Sequence, residues 1–250
     1  MIGRMAKNWD SSEPWYSSCV GEKGHYYHQA IVIPNMLRLL GTQGSLLDLG
    51  CGQGVLARHL PQEMEYCGID ASKALIDTAK KLTPNRSFIT ADASEPLPIE
   101  KKDFDKACFL LSLQNIEHGE KAIAIAALHL KKRGRLFIVM NHPCFRIARQ
   151  SEWGFDEHTK IQYRRENCYM SPLKIPIQTN PSKGEKSAQT YSYHHPISDY
   201  TKWLMKNGLL IIGLEEWCSD KKSEGARAKI EDRARKEFPL FLTIIAEKKG

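Results

Sequence analysis

The residues best placed to do chemistry lie between positions 46 and 54, where Leu46-Leu47-Asp48-Leu49 runs into Gly50-Cys51-Gly52-Gln53-Gly54. An apolar run that meets alternating glycines reads as a buried strand entering a tight turn, with a helix to follow. Glycine lets the backbone adopt left-handed conformations and lets a ligand approach the chain closely. Free N–H groups at such a helix start favour a carboxylate or phosphate. A dinucleotide fingerprint would read GxGxxG. This chain has GxGxG instead, with Asp48 two positions ahead of the first glycine. Cys51, inside the loop, is either a nucleophilic thiolate at a helix start or a small filler residue.

Other candidates lie further along the chain. His142 directly follows the fifth predicted strand, on the edge where ligands bind, and reads as a base or as a polar cap. His118 begins a helical region and carries the same two readings. Tyr26, Tyr27 and His28 open the first predicted helix, where they meet a ligand or pack on the sheet. Arg146 and Arg149 have the fork geometry to clamp an anionic acceptor, or they are solvated surface arginines. Trp153, Phe155 and Tyr163 would wall an apolar pocket or form a small core under a long loop. His194-His195 lacks the further ligands that a metal site needs. The basic cluster Lys131-Lys132-Arg133 with Arg135 sits at a helix end, where cations offset the dipole; it reads as structural rather than as a nucleic-acid footprint.

The elements that must position these residues alternate. Residues 25–40 carry apolar side chains at helical spacing. Strands are expected at Ser45–Leu49, Tyr66–Ile69, Ser87–Thr90, Phe104–Leu111 and Leu136–Met140. Helices are expected at Val55–Leu60, from Ser72 as N-cap to Leu82, and at Glu120–Lys131 with Gly134 closing it. This alternation implies βαβ units and a parallel sheet, with all strand C-terminal ends on one edge. Residues 142–196 break the rhythm with aromatics, prolines and charges, and are expected to be a functional insertion or lid. The pattern resumes with a helix at Ser198–Asn207, capped by Ser198 and ended by Gly208. Strands at Leu209–Trp217 and Leu240–Glu247 follow, with a charged helical stretch, Glu224–Glu237, between them. Residues 1–24 are polar with scattered aromatics and read as a cap or lid. Residues 25–250 read as one domain.

In this order and spacing the motifs resemble the class I S-adenosylmethionine (SAM)-dependent methyltransferases, of the small-molecule type found in ubiquinone and menaquinone biosynthesis. Asp48-x-Gly50-x-Gly52-x-Gly54 is similar to the family's first motif. Gly68-Ile69-Asp70 is similar to the second, in which an acidic residue holds both ribose hydroxyls. Ala91-Asp92-Ala93 is similar to the third, in which an Asp side chain and the next amide read adenine. Phe104 to Phe109, running on to His118, resembles the fourth-strand motif, and Leu130 to Leu136 resembles the turn into strand five. Arg133 replaces the usual first glycine of that turn, and Gln114-Asn115 stands where many relatives carry histidines. The resemblance implies a Rossmann-like α/β fold. It has a seven-stranded, mostly parallel sheet, an antiparallel last strand, helices on both faces and an insertion after strand five. It also implies SAM as cofactor, S-adenosylhomocysteine as product, and donor contacts from Asp48, Gly50, Cys51, Gly52, Gly54, Asp70, Ala71, Asp92, Ala93, Phe109 and Leu110. Catalytic candidates are His142, His118 and Tyr27; no metal is implied.

Composition narrows the function classes. With 42% hydrophobic and 26% charged residues in 250, the chain is long and apolar enough for a full core, which excludes a disordered or fibrous chain. Seven cysteines, an odd count with no CxxC pair, argue against a disulfide framework or a zinc site and for a reducing, cytoplasmic setting. No secretory leader and no membrane span are expected. The net charge of +7 is spread along the chain, so nucleic acid stays possible as a partner without being required. The expectation is methyl transfer to a small molecule. The alternatives are an enzyme of the same fold acting on RNA or protein, and a SAM-binding protein without turnover. A nicotinamide oxidoreductase comes last.

Overall fold

The computed structural model describes residues 21, 24–178 and 189–250. Most of the expected 1–24 cap therefore lies outside the described residues. Five strands of the main sheet run parallel: β1 (Ser45–Leu49), β2 (Glu65–Asp70), β3 (Ser87–Thr90), β4 (Phe104–Leu110) and β5 (Leu130–Asn141). Two late strands, β10 (Leu209–Trp217) and β11 (Phe241–Lys248), complete the order β10-β11-β5-β4-β1-β2-β3. The last strand, β11, is antiparallel to both its neighbours. This is the expected sheet, and it brings the C-terminal ends of β1 to β5 to one edge.

Side-chain alternation along the strands sorts two cores. Leu47, Leu49, Phe109 and Ile138 face α3 (Gly119–His129) and α4 (Ile197–Lys206). Leu46, Cys108, Phe137 and Val139 face α1 (Ile33–Leu40) and α2 (Lys73–Leu82). Ser72 caps α2 as expected, accepting from Leu75 N at 3.2 Å. Gly208 ends α4 with φ +69°. A fifth helix, α5 (Ala228–Glu237), lies before β11.

Several expectations need correction. No helix forms over Val55–Leu60. The glycine loop runs through turns into a single 3-10 turn, Ala57–His59, before Pro61. A π-helical turn, His28–Val32, precedes α1. Helix α3 ends at His129, and β5 starts at Leu130, six residues earlier than expected. Arg133, at the position of the missing glycine, takes the left-handed φ of +62°. Pro196, not Ser198, is the N-cap of α4, and it offers no side-chain bond.

The 142–196 stretch builds two hairpins. One pairs β6 (Ser151–Asp156) with β7 (Ile161–Glu166), and the other pairs β8 (Leu173–Gln178) with β9 (Gln189–His194). Strand β9 packs beside the 3-10 turn Leu113–Asn115 that follows β4. Among the described residues no helix is long and apolar enough to cross a membrane.

Candidate functional site

The glycine loop owes its shape to backbone conformations that other residues resist. Gly50, Gly52 and Gly54 have φ of +74°, +55° and +74°. Gly50 is also pinned sterically: a Cβ there would lie 2.4 Å from Ser112 Cβ. Ser112 cannot retreat freely, because its Oγ donates to Leu49 O at 2.6 Å. The loop is tied to β2 by Gly50 N and Cys51 N, which both donate to Ile69 O, at 2.7 and 3.0 Å.

Asp70 ends β2 and faces this loop. Its Oδ2 accepts from Gly52 N at 2.8 Å, and its Oδ1 accepts from Ser72 N at 2.9 Å. Beyond β3, Asp92 takes both Ser94 N and Ser94 Oγ on Oδ1, at 2.8 and 2.7 Å, which fixes its carboxylate in a local turn. Between these acids opens a cavity of about 290 Å³, with Gly50, Gly52, Asp70, Ala71, Asp92 and Ala93 in its wall. That size lies just under the range for small-molecule sites, about 300–1,000 Å³.

The rest of the wall includes Leu110, an expected contact, and otherwise residues that no motif reading singled out as contacts. Leu110, Leu111, Ser112 and the Gln114–Ile116 stretch continue from β4, and Asn141 ends β5. Leu111 holds a left-handed φ of +56°, and its N–H donates to Val139 O at 2.8 Å. Non-glycine residues in that region are uncommon and concentrate at functional sites. Gln114 Oε1 accepts from Asn141 N at 2.9 Å, so the β4 and β5 rims are joined across the cleft. The usable sequence signal was topological: ligands bind where parallel strands end.

His28 projects into the same cleft from the π-helical turn. Its Nδ1 is buried with no hydrogen-bond partner. Burial, helped by His25 and His59, lowers its pKa to about 4, so the ring is neutral at physiological pH. That nitrogen has no partner among the described residues, so its hydrogen-bonding capacity is unused there.

The remaining expected contacts lie elsewhere. Phe109 is fully buried in the core. Asp48 is buried beneath the loop, where Tyr66 Oη donates to Oδ2 at 2.8 Å and Cys108 Sγ to Oδ1 at 3.4 Å. Burial lifts its pKa from 3.8 to about 6, against the pull of those two donors. Burial likewise holds the Cys51 thiol well above its usual range, which removes the nucleophile reading.

The expected consequence for Asp48 is measurable. The native state binds its proton more tightly than the unfolded chain does. Stability from this residue is therefore full below about pH 4, falls as pH rises from about 4 to about 6, and is flat above. The loss should be about 3 kcal/mol, at about 1.4 kcal/mol per unit. Urea unfolding across that range should show Asp48→Asn losing this slope; an identical slope in both proteins would refute the burial account.

None of the three catalytic candidates reaches the cleft wall. His142 is buried, with Cys144 N donating to Nδ1 at 3.1 Å and Nε2 bonded to Glu216 Oε1 at 2.7 Å. The first contact makes Nδ1 the acceptor, so Nε2 carries the proton and both nitrogens are used. His118 is exposed at the N-cap of α3. Tyr27 bonds Ser219 Oγ at 3.2 Å and packs edge-on against Phe241, and Tyr26 donates to Asp220 at 2.9 Å.

In the insertion, Trp153 stands edge-on to Phe238, Phe155 lies under Arg227, and Tyr163 is exposed. Arg149 is exposed. His194 bonds Tyr169 O at 2.7 Å, and His195 stands edge-on to Trp203. In the basic cluster, Lys131 pairs with Asp105, and Arg135 pairs with Glu247 at 3.4 Å.

Comparison with known proteins adds to this geometry. Residues 47–138, which span β1 to most of β5, match a family model described as a methyltransferase domain. A demethylmenaquinone methyltransferase of Thermotoga maritima is 30% identical over 97 residues, covering 38% of this chain and 42% of that protein. The mouse 18S rRNA (guanine-N(7))-methyltransferase is 28% identical over 91 residues, 36% of this chain and 32% of that one. The chain thus matches less than half the length of either relative. A crystal structure of an S-adenosylmethionine-dependent methyltransferase from Mesorhizobium loti superposes with a TM-score of 0.66. It is 21% identical and covers 88% of this chain and 99% of that one.

Proposed function

We propose that this chain, whose residues 47–138 match a methyltransferase domain, belongs to the class I methyltransferases and transfers a methyl group from SAM to a small-molecule acceptor. The observation that carries the reading is the convergence of Gly50, Gly52, Asp70 and Asp92 on one cleft at the sheet's C-terminal edge, while Gly54 faces Phe88 and Ala79 instead. A carboxylate accepts up to about four hydrogen bonds, so Asp70 suits a pair of ribose hydroxyls. Asp92 and the amide of Ala93 suit an adenine edge. The glycine loop suits the amino-acid end of the donor, and the neutral His28 ring stands in the same wall.

Bound SAM supplies a methyl group already activated on a sulfonium. What remains for the protein is orientation, which contributes about 7–11 kcal/mol in well-positioned reactions. Leu111, Gln114, Asn115 and Asn141 line the side of the cleft away from Asp70's strand and would orient the acceptor. No general base is assigned to His142, because both its nitrogens are engaged.

We also read residues 25–250 as one domain with an insertion at 142–196, working in the cytoplasm. Methylation of RNA is the second reading; the +7 charge and the likeness to the mouse rRNA enzyme favour it. A steep fall of RNA affinity with salt would support it.

Calorimetric titration of the full chain with SAM, S-adenosylhomocysteine and NADH tests the donor. One-to-one binding of both sulfur ligands without NADH is expected. Binding of NADH alone would overturn the reading in favour of a nicotinamide enzyme. Transfer of a labelled methyl group to any acceptor then separates an enzyme from a protein that only binds SAM.

A further inference from the structure

The segment after β5 carries a guanidinium whose Nε finds no partner among the described residues. Arg146 lies five residues beyond Asn141, which lines the cleft, and its N–H donates to His142 O at 2.7 Å. Its side chain is half-buried and lies over the Trp153 indole, 5.6 Å from the ring centroid. Arg164 of β7 shares that indole at 5.1 Å.

The two cations are held differently. Arg164 donates to Phe145 O at 2.8 Å, Ser151 Oγ at 2.7 Å and Glu166 Oε1 at 3.2 Å. The Nε of Arg146 is buried with no partner, and no ion pair to Arg146 forms among the described residues.

The local charge does not balance. Glu166 is the carboxylate of this cluster, and Arg164 already engages it, while its Oε2 is buried without a partner. Tyr27, Cys218 and His142 are further titratable neighbours of Arg146. Lys221 adds a further cation, 5.0 Å over the Tyr27 ring. Burial first, and then the Arg164 charge, lower the Arg146 pKa to about 10, so it is still charged at neutral pH. Holding a half-desolvated cation beside another is costly unless something pairs with it. A guanidinium's planar fork matches an oxyanion bidentately, and an anion beside Arg146 would offset the two cations gathered at Trp153.

We propose that Arg146, beside Trp153, is an oxyanion subsite, and that the methyl acceptor is a small molecule bearing a carboxylate or phosphate. Only the assignment of that anion to the acceptor rests on the methyl-transfer reading. The subsite itself rests on the Arg146 guanidinium, which has a buried, partnerless Nε and no ion pair among the described residues.

The test uses the full chain saturated with S-adenosylhomocysteine and titrated calorimetrically with benzoate and with inorganic phosphate at constant ionic strength. At least one anion should bind saturably at one site, and which one binds separates a carboxylate from a phosphate acceptor. Arg146→Gln should weaken that binding at least tenfold while leaving the affinity for S-adenosylhomocysteine within twofold. Arg146→Lys, which keeps the charge but not the fork, should fall between, and it carries the comparison if the glutamine variant does not fold. Absence of binding by both anions, or equal binding by wild type and Arg146→Gln, overturns the subsite. Failure of S-adenosylhomocysteine to bind wild type would instead overturn the donor reading, with the anion titration still decisive for the subsite.

Discussion

Gly50→Ala should abolish measurable binding of S-adenosylhomocysteine and destabilise the fold. Two costs combine at this position. A non-glycine residue held in the left-handed region costs about 1–2 kcal/mol, and Gly50 sits at φ +74°. The new Cβ would also lie 2.4 Å from Ser112 Cβ and 2.8 Å from Ser112 Oγ. Relief requires Ser112 to move, which breaks its bond to Leu49 O, worth about 1 kcal/mol net. The total should be about 2–4 kcal/mol of stability, read as a shift in the urea midpoint. Binding suffers further, because Gly50 and Ser112 both wall the cleft. The double variant Gly50→Ala/Ser112→Gly removes the clash but not the strain, so it should recover stability in part. Wild-type ligand affinity in Gly50→Ala would show that the loop does not hold the donor.

The steric fact behind this prediction was invisible in the sequence, although the glycine itself was not. Buried parallel strands read as short apolar runs bounded by glycine or proline. Ser45–Leu49 was legible for that reason, and Ser87–Thr90 and Leu209–Trp217, though more exposed, also lie at their expected bounds. Strand β5 was harder. Its first half, Leu130-Lys131-Lys132-Arg133, is charged and largely exposed, so nothing in its hydropathy marks a strand. Pairing of Leu130 with Phe104 makes it one. The hairpin strand Ile161–Glu166 was missed for the same reason, since its side chains are exposed or only half-buried on both faces.

The site was legible where a motif fixes backbone and obscure where tertiary packing aims a side chain. Asp48 occupies a motif position, yet its register opposite Gly68 and Cys108 places it against Tyr66, away from the cleft. His142 follows a strand that ends at the cleft, but Glu216, 74 residues later on β10, captures its ring. Sequence distance hides such a partner completely. His28 shows the opposite case. It opened the first helix as one of three adjacent candidates, and the π-helical turn aims it, rather than Tyr26 or Tyr27, into the cavity wall.

Asp70→Ala should lower the affinity for S-adenosylhomocysteine at least about 100-fold, or about 3 kcal/mol at 1.4 kcal/mol per tenfold. The carboxylate acts on both sides of the cleft wall. Inside the protein it accepts from Gly52 N and Ser72 N, at 2.8 and 2.9 Å, so it braces the glycine loop and the start of α2 together. Hydrogen bonds to a charged acceptor contribute about 1.5–3 kcal/mol each, and removing the acceptor leaves both N–H groups to be solvated. Toward the cleft it is the acid placed to receive a ribose. Asp70→Asn separates the two roles. One amide oxygen can retain the loop contact or the helix contact but not both, and its NH₂ cannot accept. That variant should therefore lie between wild type and alanine in ligand affinity, and closer to wild type in its urea midpoint. If Asp70→Ala instead kept its ligand affinity and lost only stability, the acid would be a brace for the loop and nothing more. The donor's ribose would then have to be held from the β4 side, where Leu111 carries the backbone strain.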